Sequence, residues 1–400
     1  MKKAIISKRA RQTPLSPIRK LHASAVRAEQ RGIKIYHLNI GQPDLPTPPE
    51  FFKVVRSFSD KYVEYAPSAG YPGVIQAWQK YYQDVGIRFN EDEIIVTTGG
   101  SEAILFSLLA VTDHDEEALV FEPMYTNYIS FGFMAGTTLR PITLSPKNNF
   151  HLPKQRDIEK KINVKTKAII LCNPSNPTGT VFSRQELKII ADIALKFGLF
   201  IIADETYREI VFGRRSFISL MDFKKVRDRV IIIDSVSKRF NLCGARIGCI
   251  ASQNKEVMES ALKFAQGRLS SPTLEQIAII PLLKNSRIYT KPLKKEYETR
   301  RNAVISGLKQ IPGVSCAKSE GAFYATVRLP VKNSEHFCKW LLDSFNDKKE
   351  TVMLAPGDGF YASPGKGKNE VRIAYVLGSS QLKRAMKIIQ LALKKYQYTH

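Results

Sequence analysis

A chain of 400 residues with 44% hydrophobic and 24% charged side chains is long enough for two packed domains and has the balance of a globular protein, which excludes fibrous and disordered classes. Its 61 Lys and Arg against 37 Asp and Glu give a formal charge of +24, scattered in pairs such as Lys160-Lys161, Lys224-Lys225, Lys294-Lys295 and Lys394-Lys395, which reads as a solvated basic surface and not as a nucleic-acid footprint. No stretch reaches the ~18 apolar residues of a membrane helix, and five cysteines without a CxxC pair point to reduced thiols and a cytoplasmic setting.

The first twenty residues carry Lys2, Lys3, Lys8, Arg9, Arg11, Arg19 and Lys20 and no acid. With no long apolar segment behind them, they read as an N-terminal arm rather than a targeting peptide. From about residue 93 short β-rich runs alternate with helical ones: a strand over 93–98, a helix over 103–111, then strands over 118–121, 167–172, 199–203 and 229–233. The strand runs are short and apolar throughout, the pattern of a mainly parallel sheet with helices on both faces. Ser183-Arg184-Gln185-Glu186 is a capping box that opens a helix closing near Gly198. After about residue 285 the texture changes to long charged helices, as over 294–310, with strands near 322–329 and 370–376. The prediction is an α/β protein: an arm and part of a small domain over 1–45, a large domain over 46–284, and a small α+β domain over 285–400. No internal repeat and no metal-binding spacing interrupts this order.

Three motifs follow three consecutive strands, where ligands of parallel α/β sheets gather. In Asn173-Pro174-Ser175-Asn176-Pro177-Thr178-Gly179, a rigid turn, Asn176 presents an amide suited to a ligand oxygen; alone it would be an ordinary tight turn. Asp204-Glu205-Thr206-Tyr207 places a carboxylate after an apolar strand, where it requires a cation or strong donors; a helix cap would explain it equally well. Asp234-Ser235-Val236-Ser237-Lys238-Arg239, with Gly244-Ala245-Arg246-Ile247-Gly248 behind it, sets a lysine just past a buried strand, where desolvation makes an amine nucleophilic toward an aldehyde. Ser235, Ser237 and Arg246 are donors suited to a phosphate. The combined order is far more specific than any piece.

Together these motifs resemble the class I and II aminotransferases, the pyridoxal-phosphate enzymes of fold type I, along essentially the whole chain. The likeness is to the aspartate-aminotransferase-like subgroup, and Asn39-Ile40-Gly41-Gln42-Pro43-Asp44, Tyr65-Ala66-Pro67-Ser68-Ala69-Gly70 and Asn369-Glu370-Val371-Arg372-Ile373-Ala374-Tyr375 extend it. The resemblance implies pyridoxal 5'-phosphate as cofactor, Lys238 as its Schiff-base lysine and Asp204 as the partner of the pyridinium nitrogen. It implies that Asn176 and Tyr207 hold the phenolic oxygen and that Tyr125 covers the ring. Backbone N–H groups of Gly100, Ser101 and Glu102 would bind the phosphate with Ser235, Ser237 and Arg246, joined by Tyr65 from the other subunit of a homodimer. Arg372 matches the arginine that clamps the substrate α-carboxylate, with the Gly41 backbone approaching the same group and Asn176 beside it.

The activity so implied is ping-pong transfer of an α-amino group from an amino acid to a 2-oxo acid, L-aspartate and 2-oxoglutarate being the expected pair. An aromatic or aliphatic donor, or a β-lyase of the same fold, is the alternative. Where some bacterial members carry a lysine for the distal carboxylate, this chain has Ser101. Others use a partner arginine aligned near Gln266, and Arg268, two residues on, is the candidate for that role.

Overall fold

Runs of β-branched residues such as Ile231-Ile232-Ile233 supply strands that can be buried on both faces, and the computed structural model builds the molecule around them. It describes residues 4–399; Lys2 and Lys3 of the basic N-terminal segment lie outside it. In chain order the strands are β1 (Lys34–His37), β2 (Ile94–Thr97), β3 (Glu117–Glu122), β4 (Thr138–Thr143), β5 (Thr166–Cys172), β6 (Phe200–Asp204), β7 (Val230–Ser235), β8 (Gly248–Ala251), β9 (Ser315–Cys316), β10 (Tyr324–Arg328), β11 (Glu350–Met353), β12 (Ala355–Pro356) and β13 (Glu370–Ala374).

The central sheet has seven strands in the order β2-β8-β7-β6-β5-β3-β4. Every pairing is parallel except those of β8, which runs against both β2 and β7. Successive residues of each strand serve opposite cores: Ile201 and Ile232 pack on one face with Trp78, Ile202 and Ile233 on the other with Ile104, as a period of two requires. Two strands of this sheet were not anticipated. Edge strand β4 carries Pro141 and is largely half-exposed, and β8 is only four residues long; neither gives a clear apolar run. The helix expected from 103 starts at Gly99, and the capped helix runs Arg184–Phe197, closed by Gly198 in the left-handed region.

A second core joins Leu21, Ala25, Tyr36 and Leu38, with Tyr207, Ile210 and Phe212, to residues from Leu293 to Tyr396. Here β12-β13-β10-β9 form an antiparallel sheet, and β1 pairs in parallel with β11. The segment before the large unit is therefore stitched into the C-terminal one.

The two units are tied together near His151, whose Nδ1 lies 2.9 Å from Glu186 of the capping box and whose Nε2 lies 3.5 Å from Glu320. Arg215 reaches Glu320 at 2.7 Å. Hydrogen bonding to Glu186 and then Glu320 raises the His151 pKa to about 9 from an ordinary 6.5. A raised imidazole contributes stability in full below pH 6.5 and loses it as pH climbs through 9. Urea unfolding should therefore show wild type losing about 1–2 kcal/mol more than His151→Gln between those limits, the partly exposed ring being screened. Equal losses in both proteins would contradict it.

Candidate active site

The three motifs converge at the carboxyl ends of β5, β6 and β7, and together with strands β10 and β13 and the N-terminal segment they enclose a cavity of about 590 Å³. Its floor is Asp204, the last residue of β6. The carboxylate is buried and accepts from Tyr128 Oη at 2.6 Å and from the Thr206 N–H at 3.2 Å. Both donors are neutral, and no cation lies within ion-pair distance among the described residues. Burial, only partly offset by those hydrogen bonds, raises its pKa.

Lys238 follows β7 in a short helix. Its Nζ donates to the Gly41 carbonyl at 2.8 Å and lies 3.5 Å from Cys243 Sγ; among the described residues no carboxylate pairs with it. Gly41 thus engages Lys238 through its backbone carbonyl. A Cβ there would fall 1.8 Å from Tyr324 Oη, so any side chain would expel that tyrosine.

Arg372 sits in β13 opposite Thr326 and is buried at 2% exposure. Its guanidinium donates to Asn176 Oδ1 at 3.0 Å and to the Asn39 carbonyl, and lies over the rings of Tyr324 and Phe360. Its Nε has no partner. Burial lowers its pKa, and no described carboxylate is near enough to restore it. A buried guanidinium in that state is a seat for an anion.

A second anion seat lies at the start of the helix Gly99–Val111. Free N–H groups of the first turn attract negative charge. Gly100 and Ser101 line the cavity beside Ser235, Ser237 and Arg246. Gly99 has φ +71°, and a Cβ there would meet the Arg246 guanidinium at 2.6 Å, so glycine lets the arginine lie against the helix start. Among the described residues Arg246 has no carboxylate partner and donates only to the Cys243 carbonyl, at 3.0 Å.

Tyr207 and Tyr125 also line the cavity. Tyr207 Oη shares a hydrogen with Tyr324 Oη at 2.8 Å, and burial pushes the Tyr125 pKa up to about 12, so both are neutral phenols. Three anticipated residues do not line the cavity of the single chain, two of them, Tyr65 and Arg268, being expected there from a partner subunit. Tyr65 is exposed and outside the cavity. The Glu102 carboxylate accepts the Thr98 N–H at 2.8 Å and pairs with Arg268 at 3.2 Å. Arg268 also donates to the Ser68 and Val96 carbonyls and is held away from the cavity. For Glu102 and the Arg268 it pairs with, the helix start, which draws an acidic side chain back toward its own N–H groups, is the physical reason.

Sequence reasoning passed over Tyr128, Thr206, Cys243 and Tyr324, and the segment Ser16, Ile18 and Arg19 that also lines the cavity. Tyr128 in Tyr125-Thr126-Asn127-Tyr128 resembles any core aromatic. Tyr324 could have been suspected, being a polar aromatic opening a strand in the second unit. The cavity thus holds four cations, Arg19, Lys238, Arg246 and Arg372, and one carboxylate, Asp204. It can take a polyanionic ligand with a cationic group on the floor and an amine within reach.

Residues 33–389 match the family described as aminotransferase class I and II. The chain is 29% identical to a probable aspartate/prephenate aminotransferase of Aquifex aeolicus, over 99% of this chain and 100% of that one. An aspartate aminotransferase single mutant of Thermus thermophilus has the same fold, with a TM-score of 0.89 at 24% identity over 98% of this chain and 100% of that one. An alanine aminotransferase of Pyrococcus furiosus superimposes with a TM-score of 0.88 at 28% identity over 98% and 100%.

Below the floor, Arg239 donates to Asp234 Oδ2 at 2.6 Å with both groups buried, and lies 3.9 Å over the Tyr81 ring. Arg239→Met should cost about 3–5 kcal/mol in denaturant unfolding because it strands a buried carboxylate. A loss under about 1 kcal/mol would show that Tyr82 and the backbone satisfy Asp234 alone.

Proposed function

This chain belongs to the class I and II aminotransferases, and we propose that it transfers amino groups with pyridoxal 5'-phosphate, taking them from L-aspartate and delivering them to 2-oxoglutarate by a ping-pong route. The observation that carries the reading is one of charge. A buried carboxylate without a cation and a buried guanidinium without an anion share a cavity with an unpaired lysine.

The cofactor fits that donor set. Asp204 would face the ring nitrogen, whose proton is the cation the floor lacks; Asn176 and Tyr207 would face the phenolic oxygen and Tyr125 would cover the ring. Gly100, Ser101, Ser235, Ser237 and Arg246 would hold the phosphate. When bound, pyridoxal phosphate supplies an aldehyde for the substrate amine and an electron sink for its Cα.

The chain's own groups do the rest. Arg372 grips the α-carboxylate with a charge-assisted pair and so orients the Cα–H bond. Lys238, as a free amine, would take that proton from Cα and deliver it to the cofactor carbon that keeps the amino nitrogen, acting as base and then acid. Asp204, kept dry by its burial, would hold the ring nitrogen in its protonated form. The aspartate assignment is supported by the names of the relatives.

The same reading divides the chain into an arm with part of a small domain over 1–45, a cofactor domain over 46–284 and a small domain over 285–400, and the separate core of the last unit supports it. It takes the enzyme as a homodimer: Tyr62, Val63 and Tyr65 form an exposed run that a second subunit would cover, bringing Tyr65 to that subunit's phosphate. No helix among the described residues is long and apolar enough to cross a membrane, and five free cysteines support a cytoplasmic location.

Mixing the cofactor-loaded protein with single amino acids and following its absorbance tests the reading directly. Aspartate and glutamate should convert it to the amino form without any acceptor. Borohydride should fix the cofactor covalently to wild type, and Lys238→Ala should lose both that linkage and at least about 10²–10⁴-fold in turnover. Undiminished transamination in Lys238→Ala would refute the assignment.

A further inference from the structure

The cavity carries one cation that the functional reading leaves without a task. Of its four cations, Lys238, Arg246 and Arg372 have roles there, and the fourth is Arg19, contributed by the N-terminal segment. Its side chain is exposed. Among the described residues it pairs with no carboxylate and its guanidinium makes no hydrogen bond.

Every neighbour of Arg19 is fastened. Pro17 packs so closely on Gly359 that a Cβ at that glycine would lie 2.2 Å away. Ile18 packs against the cluster of Ala355, Phe360 and Tyr361, and its carbonyl accepts from Asn39 Nδ2 at 3.1 Å. Lys20 is consumed by ion pairs to Glu335 at 2.7 Å and Asp358 at 3.5 Å. Leu21 enters the core of the C-terminal unit. The segment is thus a rigid mount, and Arg19 is the side chain it leaves for the cavity.

The mount is also built on the α-carboxylate seat. Phe360, which packs Ile18, lies under the Arg372 guanidinium at 4.9 Å, and Asn39, which holds the Ile18 carbonyl, accepts from that same guanidinium through its own carbonyl. Two cations fixed to one support suit a substrate with a carboxylate at each end. Arg268 cannot serve within this chain, because Glu102 and two carbonyls hold it outside the cavity.

We propose that Arg19 is a specificity-determining residue of the transamination, reading the distal carboxylate of a dicarboxylic amino acid and of its 2-oxo acid. The inference rests on the dicarboxylate reading above. A guanidinium forms two parallel bonds to a carboxylate, and a pocket built for that group discriminates strongly against substrates that lack it.

The experiment compares wild type, Arg19→Gln and Arg19→Lys in half-reactions with aspartate, glutamate, alanine and phenylalanine, and measures succinate and butyrate binding to each loaded enzyme by calorimetry. For Arg19→Gln, kcat/KM for aspartate and glutamate should fall on the order of 10–100-fold, mainly through KM, while alanine and phenylalanine stay within about twofold. Succinate affinity should fall in parallel and butyrate affinity should not, and Arg19→Lys should recover part of both because it keeps the charge without the fork. Equal loss on all four amino acids, or unchanged aspartate kinetics in Arg19→Gln, overturns the role of Arg19 alone. A wild type inactive on aspartate and glutamate, yet active on alanine, overturns the dicarboxylate reading and this inference with it.

Discussion

A carboxylate and a guanidinium buried in one cavity would attract each other by about 4 kcal/mol at 4 Å in a protein-like dielectric, and Asp204 and Arg372 are kept from collapsing together because different sheets carry them. Asp204 ends β6 of the central sheet, where Tyr128 and the Thr206 N–H fix its two oxygens. Arg372 rises from β13 of the other sheet, spread over Tyr324 and Phe360 and tethered to Asn39 and Asn176. Each group is held by neutral partners, so each keeps an uncompensated charge. The cores beneath offset that cost, and a zwitterionic substrate or a cofactor with a charged ring can take it up.

The sheet order makes this arrangement possible. Parallel strands β5, β6 and β7 deliver Asn176, Asp204 and Lys238 to one edge at successive strand spacings. Reversed strand β8 closes the row beside β7 and leads out of the turn that carries Arg246. Its antiparallel direction lets a short connection return Arg246 to the end of β7 from which Lys238 departs, where a parallel strand would require a long crossover.

This division explains what could be read from the sequence. Groups that end strands of the central sheet stand next to long apolar runs, so Asn176, Asp204, Ser235 and Lys238 could be singled out as candidates through their combined order, whereas Arg372 entered through the family resemblance. Tyr128 and Tyr324 could not be singled out, since an aromatic that donates one hydrogen bond from a core position has the same neighbours in sequence as one that donates none. Arg268 is different again: its pairing with Glu102 spans 166 positions of chain, which periodicity cannot reveal. Arg19 was hidden among the basic residues of the arm, and its place in the cavity and the ion pairs of Lys20 are what distinguish the two neighbours.

Seating the cofactor and seating the substrate are therefore physically separable tasks in this chain. The proposed cofactor contacts belong to the central sheet and its helix starts, whereas Arg372, Asn39 and Arg19 all belong to the unit that packs around Phe323 and Tyr375. On the proposed function, a substrate held at its carboxylates would thus be placed by one unit over a lysine placed by the other. The two are brought into register by the Tyr207–Tyr324 hydrogen bond, by the Arg372–Asn176 bond and by the Lys238–Gly41 contact. Of these, the last engages the amine that must move when the reaction begins. Releasing Lys238 from the Gly41 carbonyl would loosen one of the links between the units, so positioning the substrate and freeing the base draw on the same small set of contacts.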